Sequence, residues 1–192
     1  MVRGVIVDCR FEGNSSVSNG GAADNCDFIE RCVFKDNRAG GYGGGVSYCG
    51  VRTSLFVGND AVVGGGGGDG FKSSDVVAFA GKYTSCTFVS NTVAGSTSAA
   101  NSGVSGGTGA IATDCLFVDC RCAAAMNAGH LDGSFAGTRV IDYNPFVNRA
   151  GGDYHVRDAY AIDLLGDTAN VAKFLANGVT DLAGEQFNAD YF

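Results

Sequence analysis

The side chains that most often carry out chemistry are sparse in this sequence. Its two histidines, His130 and His155, have no Ser or Cys at a spacing that suggests a nucleophile and its base. Cys120 and Cys122 form a single C-x-C, whereas a zinc site needs further ligands, such as a second C-x-C or paired histidines. The sequence offers neither of these, so we predict no catalytic, cofactor-binding or metal-binding residue.

A glycine run is the next candidate for a site. Residues 64–72 formally fit the calcium-binding nonapeptide G-G-x-G-x-D-x-U-x. Such calcium sites need consecutive repeats, and the adjoining nonapeptides at 55–63 and 73–81 do not match the pattern. We therefore predict a flexible turn here rather than a calcium site.

Eight cysteines would normally suggest disulfides in an exported chain. Four of them occupy the same position of a repeat, namely Cys9, Cys32, Cys86 and Cys115. Cysteines that recur in this way are small apolar core residues, and we favour a stack without disulfides. The alternative is a disulfide between neighbours, Cys9 with Cys32 or Cys86 with Cys115, because adjacent coils lie within disulfide range.

The repeat that places these cysteines has the form C-x-F-x-x-N. Its phenylalanines are separated by 23, 22, 32 and 29 residues, which is a solenoid-like period. Ser54 replaces the Cys of the third copy, and Cys120 replaces the Asn of the fifth. The phenylalanines are Phe11, Phe34, Phe56, Phe88 and Phe117.

The spacing within each copy predicts a strand followed by a corner. The first residue and the Phe are two apart, so both face the core in an extended strand. The Asn follows at the corner, where it tolerates left-handed backbone angles and bonds the local backbone. We predict that Asn14, Asn37, Asn59 and Asn91 form buried bonds between coils, the alternative being an exposed ladder that binds a ligand.

Glycine clusters precede most copies of the repeat. They lie at 20–23, 43–46, 64–68 and 106–111, and glycine permits both tight turns and close approach of neighbouring coils. One coil is then a glycine turn, a strand, a bend, the Cys/Phe strand and the Asn corner. The residues before Cys9 are predicted to be a strand, with Val5 and Val7 on the same side as Cys9 and Phe11.

These motifs resemble a known group of repeats. The F-x-x-N matches and the approximate G-G-A-[ILV] partners are similar to polymorphic outer-membrane protein repeats and to the β-helix repeats of secreted surface proteins. The C-terminal motifs at 144–148, 152–156, 161–163 and 180–184 are similar to the closing segment of choice-of-anchor β-helix proteins. The resemblance implies an all-β, right-handed parallel β-helix solenoid of pectate-lyase-like architecture.

That architecture also hosts enzymes that cleave acidic polysaccharides. Lyases of this type use carboxylate-bound calcium and a basic residue, and the candidates here are Asp24, Asp27 and Glu30 with Arg31. Four charged residues in one turn are usually a solvated face, and we favour that interpretation.

Two further segments lie outside the repeat. The insertions at 72–75 and 92–105 are polar, and we predict either a binding surface or mobile loops. Residues 167–178 have the apolar spacing of a short amphipathic helix, with Gly178 at its end. We expect this segment, as a helix or loop cap, to cover the open end of the solenoid.

Composition restricts the partners. A net charge of −7 and a pI near 4.6 argue against a nucleic-acid partner, which would need a basic stripe. No run of apolar residues is long enough to span a membrane, and residues 1–8 lack the apolar region of an export signal. We therefore expect a fragment of a longer surface protein.

These observations lead to one prediction of organisation and function. Residues 1–192 are expected to be a single β-helix domain, with repeat coils at 1–125 and terminal coils and a cap at 126–192. The predicted function is non-catalytic adhesion or binding of a glycan or a host surface protein, at the cell surface or outside the cell. The rival hypothesis is a polysaccharide lyase or hydrolase fragment, and a structural stalk is the third.

Overall fold

The computed structural model of the chain describes residues 4–70, 81–95, 103–105, 111–122, 125–126, 134–136, 139–141 and 143–156. These residues form short β-strands, and the only helical element among them is a 3-10 turn. The chain divides into two compact units, Met1–Ile141 and Asp142–Phe192. The all-β class that the repeat predicts is confirmed.

The first unit contains four sheets, whose strands we number in chain order. Sheet A consists of β1 (Val5–Val7), β5 (Phe28–Glu30), β9 (Val51–Arg52), β13 (Lys82–Thr84), β17 (Ile111–Thr113) and β21 (Ser134–Ala136). Sheet B consists of β2 (Arg10–Glu12), β6 (Val33–Lys35), β10 (Leu55–Val57), β14 (Thr87–Val89), β18 (Leu116–Val118) and β22 (Arg139–Ile141).

The other two sheets have two-residue strands. Sheet C consists of β3 (Ser15–Ser16), β7 (Arg38–Ala39), β11 (Asp60–Ala61), β15 (Thr92–Val93), β19 (Arg121–Cys122) and β20 (Ala125–Met126). Sheet D consists of β4 (Ala23–Asp24), β8 (Val46–Ser47), β12 (Gly68–Asp69) and β16 (Val104–Ser105). All pairs in the four sheets are parallel except β19 with β20.

Strands that follow one another in the chain therefore belong to different sheets, and each strand pairs with its equivalent in the next repeat. This stacking of parallel sheets is compatible with a β-solenoid. The first four coils each carry a strand in all four sheets, two more than the sequence predicts. The segment at 92–105 was predicted to be an inserted loop, but its first and last two residues form strands β15 and β16. The predicted bounds of the insertion were therefore wrong.

The phenylalanines of sheet B form one continuous column. The backbone register pairs Phe11 with Phe34, Phe34 with Phe56, Phe56 with Phe88 and Phe88 with Phe117. Their rings stack with centroids 5.1, 4.8, 4.7 and 4.6 Å apart. The last four are fully buried and Phe11 is half-buried, which confirms the predicted column.

The asparagines form a second column. The side-chain amide nitrogen of Asn37 donates to Oδ1 of Asn59 at 2.9 Å and to the carbonyl of Phe11 at 3.1 Å. Asn59 repeats both bonds, to Asn91 at 2.9 Å and to Phe34 at 2.9 Å. Asn37, Asn59 and Asn91 are buried, so the prediction of buried, bonded amides is confirmed for these three, whereas Asn14 makes the bond to Asn37 but is exposed.

The corner geometry differs from the prediction in one respect. The left-handed residue is the one before each Asn, as at Asp36 (φ 52°), Ser90 (φ 52°) and Gly58 (φ 63°). The predicted left-handed Asn was therefore wrong. The preceding residue makes the turn, which leaves the Asn side chain free to point inward and bond the next coil.

A second left-handed corner separates sheets A and B. Asp8, with φ 54°, lies between β1 and β2. Because of this corner, the alternation of inward and outward side chains in β1 does not continue in step into β2. Ile6 consequently packs on the core, whereas Val5 is 64% exposed. The prediction that Val5 and Val7 share a side with Cys9 and Phe11 was therefore wrong.

The glycine turns stack on one another and pack against the phenylalanines. Gly43 donates to Gly64 and Gly44 to Gly65 at 3.0 and 2.9 Å, so the Gly64–Gly68 run is tied to the preceding coil rather than being a loose turn. A Cβ at Gly67 would lie 2.6 Å from the ring of Phe88. Gly68 leaves space for the buried Tyr83, whose hydroxyl donates to the Asp69 carbonyl at 3.2 Å.

The cysteine column is confirmed as core packing. Cys32, Cys86 and Cys115 are buried, and Cys9 is exposed at the first coil. The backbone amide of Cys9 donates to Sγ of Cys32 at 3.4 Å, and that of Cys32 to Oγ of Ser54 at 3.1 Å. The thiols of Cys9, Cys32 and Cys86 are free, so neither alternative disulfide is present.

The second unit contains a small hairpin. Strand β23 (Phe146–Asn148) pairs antiparallel with β24 (Asp153–Val156), and the 3-10 turn Arg149–Gly151 joins them. The Asn148 side chain accepts from the amide of Gly151, and Gly152 ends the turn with φ 83°. The hairpin contains two of the four C-terminal motifs.

Other predicted features lie outside the described residues. These are the segment at 72–75, His130, the motifs at 161–163 and 180–184, and the capping segment at 167–178.

Candidate functional site

Two of the four charged residues predicted as a solvated face or a lyase site are engaged in ion pairs. Arg31 bonds Asp8 through two nitrogens at 2.7 and 2.9 Å, and it lies 3.3 Å from Glu30. Arg52, one coil further, pairs with the same Glu30. Glu30 thus lies between two guanidinium groups, and Arg31 is bonded to two carboxylates.

Further ion pairs follow the outer side of the stack. Lys35 bonds Glu12 at 2.9 Å, and Arg38 lies 3.5 Å from Asp60. The Lys35 ammonium, followed by Arg10, lowers the pKa of the Glu12 carboxyl below its usual range. These pairs link one coil to the next.

Asp24 and Asp27 do not join this network. The amide of Asp27 donates to the carbonyl of Gly4 at 3.1 Å, and Asp24 belongs to sheet D, two corners before Arg31. The four charged residues therefore do not converge on one groove. Within the described ranges, no group of three or more His, Cys, Asp or Glu residues is placed to hold a metal ion.

The second residue of each sheet D strand belongs to a different cluster, of which the sequence patterns had pointed only to Asp24 and to the glycine run that contains Asp69. These second residues are alternating carboxylates and hydroxyls at equivalent positions of four coils, namely Asp24, Ser47, Asp69 and Ser105. Ser105 donates to Oδ1 of Asp69 at 2.7 Å. Asp69, Ser47 and Ser105 are buried, whereas Asp24 is exposed.

Two tyrosines flank this column. Tyr42 is 36% exposed, and a Cβ built on Gly64 would lie 3.1 Å from its ring and 3.2 Å from Oγ of Ser105. The Tyr42 ring therefore lies over Gly64, next to the end of the column. We call Asp24, Tyr42, Ser47, Tyr48, Asp69 and Ser105 together the acidic–tyrosine face.

The phenol of Tyr48 lies close enough to Asp69, Asp24 and Tyr42 for their charges to affect its pKa. Burial raises the pKa of its phenol, and the charges of Asp69, Asp24 and Tyr42 raise it further. The phenol is therefore held in its neutral form, in which the hydroxyl donates a hydrogen bond as well as accepting one. Tyr48 also occupies a left-handed corner, with φ 53°, which fixes its backbone direction.

The acidic–tyrosine face has the chemistry of a polar binding site. Asp24 is an exposed acceptor, Tyr48 is a half-buried donor, and the Tyr42 ring offers an apolar surface with a polar tip. Asp69 and Ser105, which are bonded to each other, are buried in the same column. Small-molecule sites combine aromatic surfaces with a few positioned polar groups in this way.

The sequence contained one usable signal for this cluster. Asp24, Ser47 and Asp69 each directly follow a glycine cluster, so the glycine repeat could have located them. The tyrosines have no counterpart in the other coils. Residue types that occur only once give no periodic signal.

His155, the described histidine, lies in the hairpin of the second unit. Its Nδ1 is 2.6 Å from Oδ1 of Asp153; the His155 side chain is exposed and that of Asp153 is partly exposed. The amide and ring of His155 lower the pKa of Asp153.

Comparison with known proteins gives no relative. No protein-family model matches the chain, and no curated protein or solved structure is significantly similar to it. Within the described residues, no helix is long and apolar enough to cross a membrane.

Proposed function

We propose that the chain is a right-handed parallel β-helix displayed outside the cell, and that it binds neutral glycans at the acidic–tyrosine face without catalysis. The observation that carries this proposal is the combination of the exposed carboxylate of Asp24 with the phenols of Tyr42 and Tyr48 on a rigid stack of parallel strands. Glycans present hydroxyls to such carboxylates and apolar ring faces to such aromatics.

The stacking itself supports the β-helix part of the proposal. The strands of the first four coils, four in each coil, pair with their equivalents one coil away, so that the edges of the sheets lie at the ends of the stack. The resemblance of the F-x-x-N motifs to polymorphic outer-membrane protein repeats favours display at the cell surface.

The distribution of charge favours a neutral ligand over a polyuronate. The face contains two carboxylates and no Lys or Arg, while Arg31, Arg52 and Lys35 are paired with carboxylates on sheets A and B. An acidic sugar would meet like charge at the face, and the whole chain has a net charge of −7. Within the part of the chain that the structure describes, the face has no cation to neutralise a uronate, which disfavours a lyase.

A glycan array with neutral and acidic oligosaccharides tests the proposal. We expect binding to neutral glycans, and we expect Tyr42→Ala and Asp24→Asn to weaken it at least tenfold. Val5→Ala and Asp36→Asn are the controls, because these residues are exposed in the same unit but belong to sheet A and to the corner before Asn37, outside the face. Equal binding by all four variants would contradict the site.

A polyuronate-cleavage assay separates the enzyme hypothesis. We expect no unsaturated product from the wild-type protein. Cleavage that disappears in Asp24→Asn would replace the binding proposal with a lyase.

A further inference from the structure

A second pair of cysteines lies outside the C-x-F-x-x-N repeat, beside the acidic–tyrosine face. Cys26 and Cys49 each follow a left-handed corner residue, Asn25 with φ 60° and Tyr48 with φ 53°. They lie two residues after Asp24 and Ser47, which pair directly between β4 and β8. The two cysteines therefore occupy equivalent positions on neighbouring coils.

The contact between them is direct. The backbone amide of Cys26 donates to Sγ of Cys49 at 3.3 Å. Paired parallel strands are about 4.8 Å apart, and disulfide-bonded residues have Cα atoms about 4.4 to 6.8 Å apart. A disulfide between the two residues thus needs only a small local adjustment at the corner.

Access distinguishes the two thiols. Cys26 is half-buried, whereas Cys49 is fully buried and donates to the carbonyl of Ser47 at 3.1 Å. An oxidant in solution reaches Cys26 first. A side-chain hydrogen bond with Cys49 lowers the pKa of Cys26 to about 7, against the opposing effects of burial and of the Asp24 and Asp27 carboxylates.

The other stacked pairs lack one of these properties. In the pair of Cys86 and Cys115, the thiols also interact through their side chains, but both residues are buried. In the pair of Cys9 and Cys32, the backbone contact is the same, but the Cys9 thiol is held by a bond to the Val7 carbonyl at 3.2 Å, whereas the Cys26 thiol lies 3.8 Å from the Asp24 carbonyl. Among the cysteines whose side chains are described, only Cys26 is accessible without a close bond at its sulfur, and it lies against the buried Cys49.

We propose that Cys26 and Cys49 form a redox-active thiol pair that reacts with low-molecular-weight disulfides and closes a disulfide between two neighbouring coils. The Cys26 thiolate attacks the small disulfide, forms a mixed disulfide and releases one small thiolate. The Cys49 thiol then loses its proton and attacks the Cys26 sulfur, which releases the second small thiolate. Two protein thiols are oxidised and one small disulfide is reduced to two thiols.

Peptide mapping after treatment with oxidised glutathione tests this proposal. The protein is incubated for increasing times, remaining thiols are alkylated, and trypsin digestion is done without reduction. Arg10, Arg31, Lys35, Arg38 and Arg52 separate Cys9, Cys26, Cys32 and Cys49 into four peptides. We expect the first cross-linked product to join residues 11–31 to residues 39–52.

Variants distinguish the thiol that attacks the small disulfide, Cys26, from the thiol that resolves the mixed disulfide, Cys49. Cys49→Ser is expected to stop at a glutathione adduct on Cys26, and Cys26→Ser to leave Cys49 reduced. Cys9→Ser is the matched control, and it should leave the cross-link rate within about twofold of the wild type.

The wild-type protein alone keeps the proposal testable if a variant fails to fold. Its oxidised form should unfold at a higher temperature than its reduced form, because the cross-link restricts the unfolded chain. A product that first joins Cys9 to Cys32, or a wild-type adduct on Cys26 that never resolves, would overturn the proposal. Neither result bears on glycan binding, which the array measures separately.

Discussion

At the scale of single residues, the asparagine column explains why the repeat ends in Asn. Oδ1 of Asn59 accepts both the backbone amide and the side-chain amide of Asn37, at 3.0 and 2.9 Å. Its own Nδ2 donates onward to Asn91 and back to the carbonyl of Phe34. An aspartate could accept these bonds but could not donate them, so the position requires an amide.

Replacing Asn59 by Ala should destabilise the protein by about 1 to 3 kcal/mol, because buried partners on both sides lose their bonds. Chemical denaturation measures this loss. Asn14→Ala is the matched control: Asn14 makes the same bond to Asn37, at 3.0 Å, but it is exposed at the first coil. Equal losses in the two variants would contradict the role of burial.

Cys120 shows how the column ends. It replaces the Asn of the fifth copy, it is fully buried, and Nδ2 of Asn91 lies 3.8 Å from its Sγ. The thiol donates weakly to the carbonyl of Phe88 at 3.6 Å, where an amide would donate in other coils. Burial raises the pKa of Cys120 to about 12, so this thiol stays protonated and remains a donor.

Two tyrosines make stability sensitive to alkaline pH. Burial raises the pKa of Tyr83 well above its usual value, and burial with nearby carboxylates raises that of Tyr48. A raised folded-state pKa gives stability that is complete below the unfolded value, about 10, and is lost as pH rises through the folded value. We therefore expect stability to fall above about pH 10.

Ultraviolet absorbance of tyrosinate, recorded with circular dichroism, checks this expectation. Tyr83 should ionise only as the fold is lost, and Tyr83→Phe should remove part of the alkaline sensitivity. Ionisation of all seven tyrosines before unfolding would contradict it.

At the scale of the strand and turn, the phenylalanine column depends on the glycine turns opposite it. Gly45 and Gly67 occupy equivalent positions, and a Cβ there would lie 3.0 Å from the ring of Phe56 and 2.6 Å from that of Phe88. Each ring thus packs against a backbone without a side chain. The glycine and phenylalanine positions therefore recur together, because each ring needs a residue without a side chain opposite it.

Gly67→Ala should destabilise the protein by about 1 to 3 kcal/mol, since the added methyl overpacks a rigid aromatic stack. Thermal and denaturant unfolding measure the effect. Gly4→Ala is the control, because no atom lies within 4 Å of a Cβ built there. A neutral Gly67→Ala would mean that the phenylalanine column shifts easily.

Phe34→Ala removes a fully buried ring that stacks on both neighbours, with centroid distances of 5.1 and 4.8 Å. We expect a loss of about 3 to 5 kcal/mol, the range for large buried aromatic residues. A loss below about 1 kcal/mol in denaturation would mean that the site relaxes around the cavity.

Sequence patterns predicted these columns because each recurs with the same residue type. They did not predict the strands of sheets C and D, which are only two residues long and too short to show alternation. They also did not predict β22, where Val140 pairs with Phe117 after the Cys, Phe and Asn of the repeat have all changed. The acidic–tyrosine face was missed because its tyrosines occur in single coils.

At the scale of the whole molecule, ion pairs link neighbouring coils on the outer surface. Arg31 lowers the pKa of Asp8, and Lys35 lowers that of Glu12. A lowered folded-state pKa gives stability that is present above the unfolded value, about 4, and is lost as pH falls through the folded value. Because these groups are exposed, salt should also weaken the pairs.

We therefore expect the unfolding temperature to fall between about pH 4 and pH 2, and to fall slightly with added salt at pH 7. Scanning calorimetry at several pH values and salt concentrations measures both effects. The double variant Arg31→Met and Lys35→Met should reduce the acid dependence. An unchanged dependence would show that other carboxylates control it.

The same ion pairs have a consequence for how the chain selects its neighbours during folding. The phenylalanine and asparagine columns are made of identical residues, so a coil that skipped its neighbour would find the same partners inside. Outside, Asp8 meets Arg31 and Glu12 meets Lys35, but the next coil offers Thr53 and Val57 at those positions. The surface ion pairs therefore favour pairing of each coil with its correct neighbour. The phenylalanine and asparagine columns stabilise the stack, but they would be the same for an incorrect neighbour.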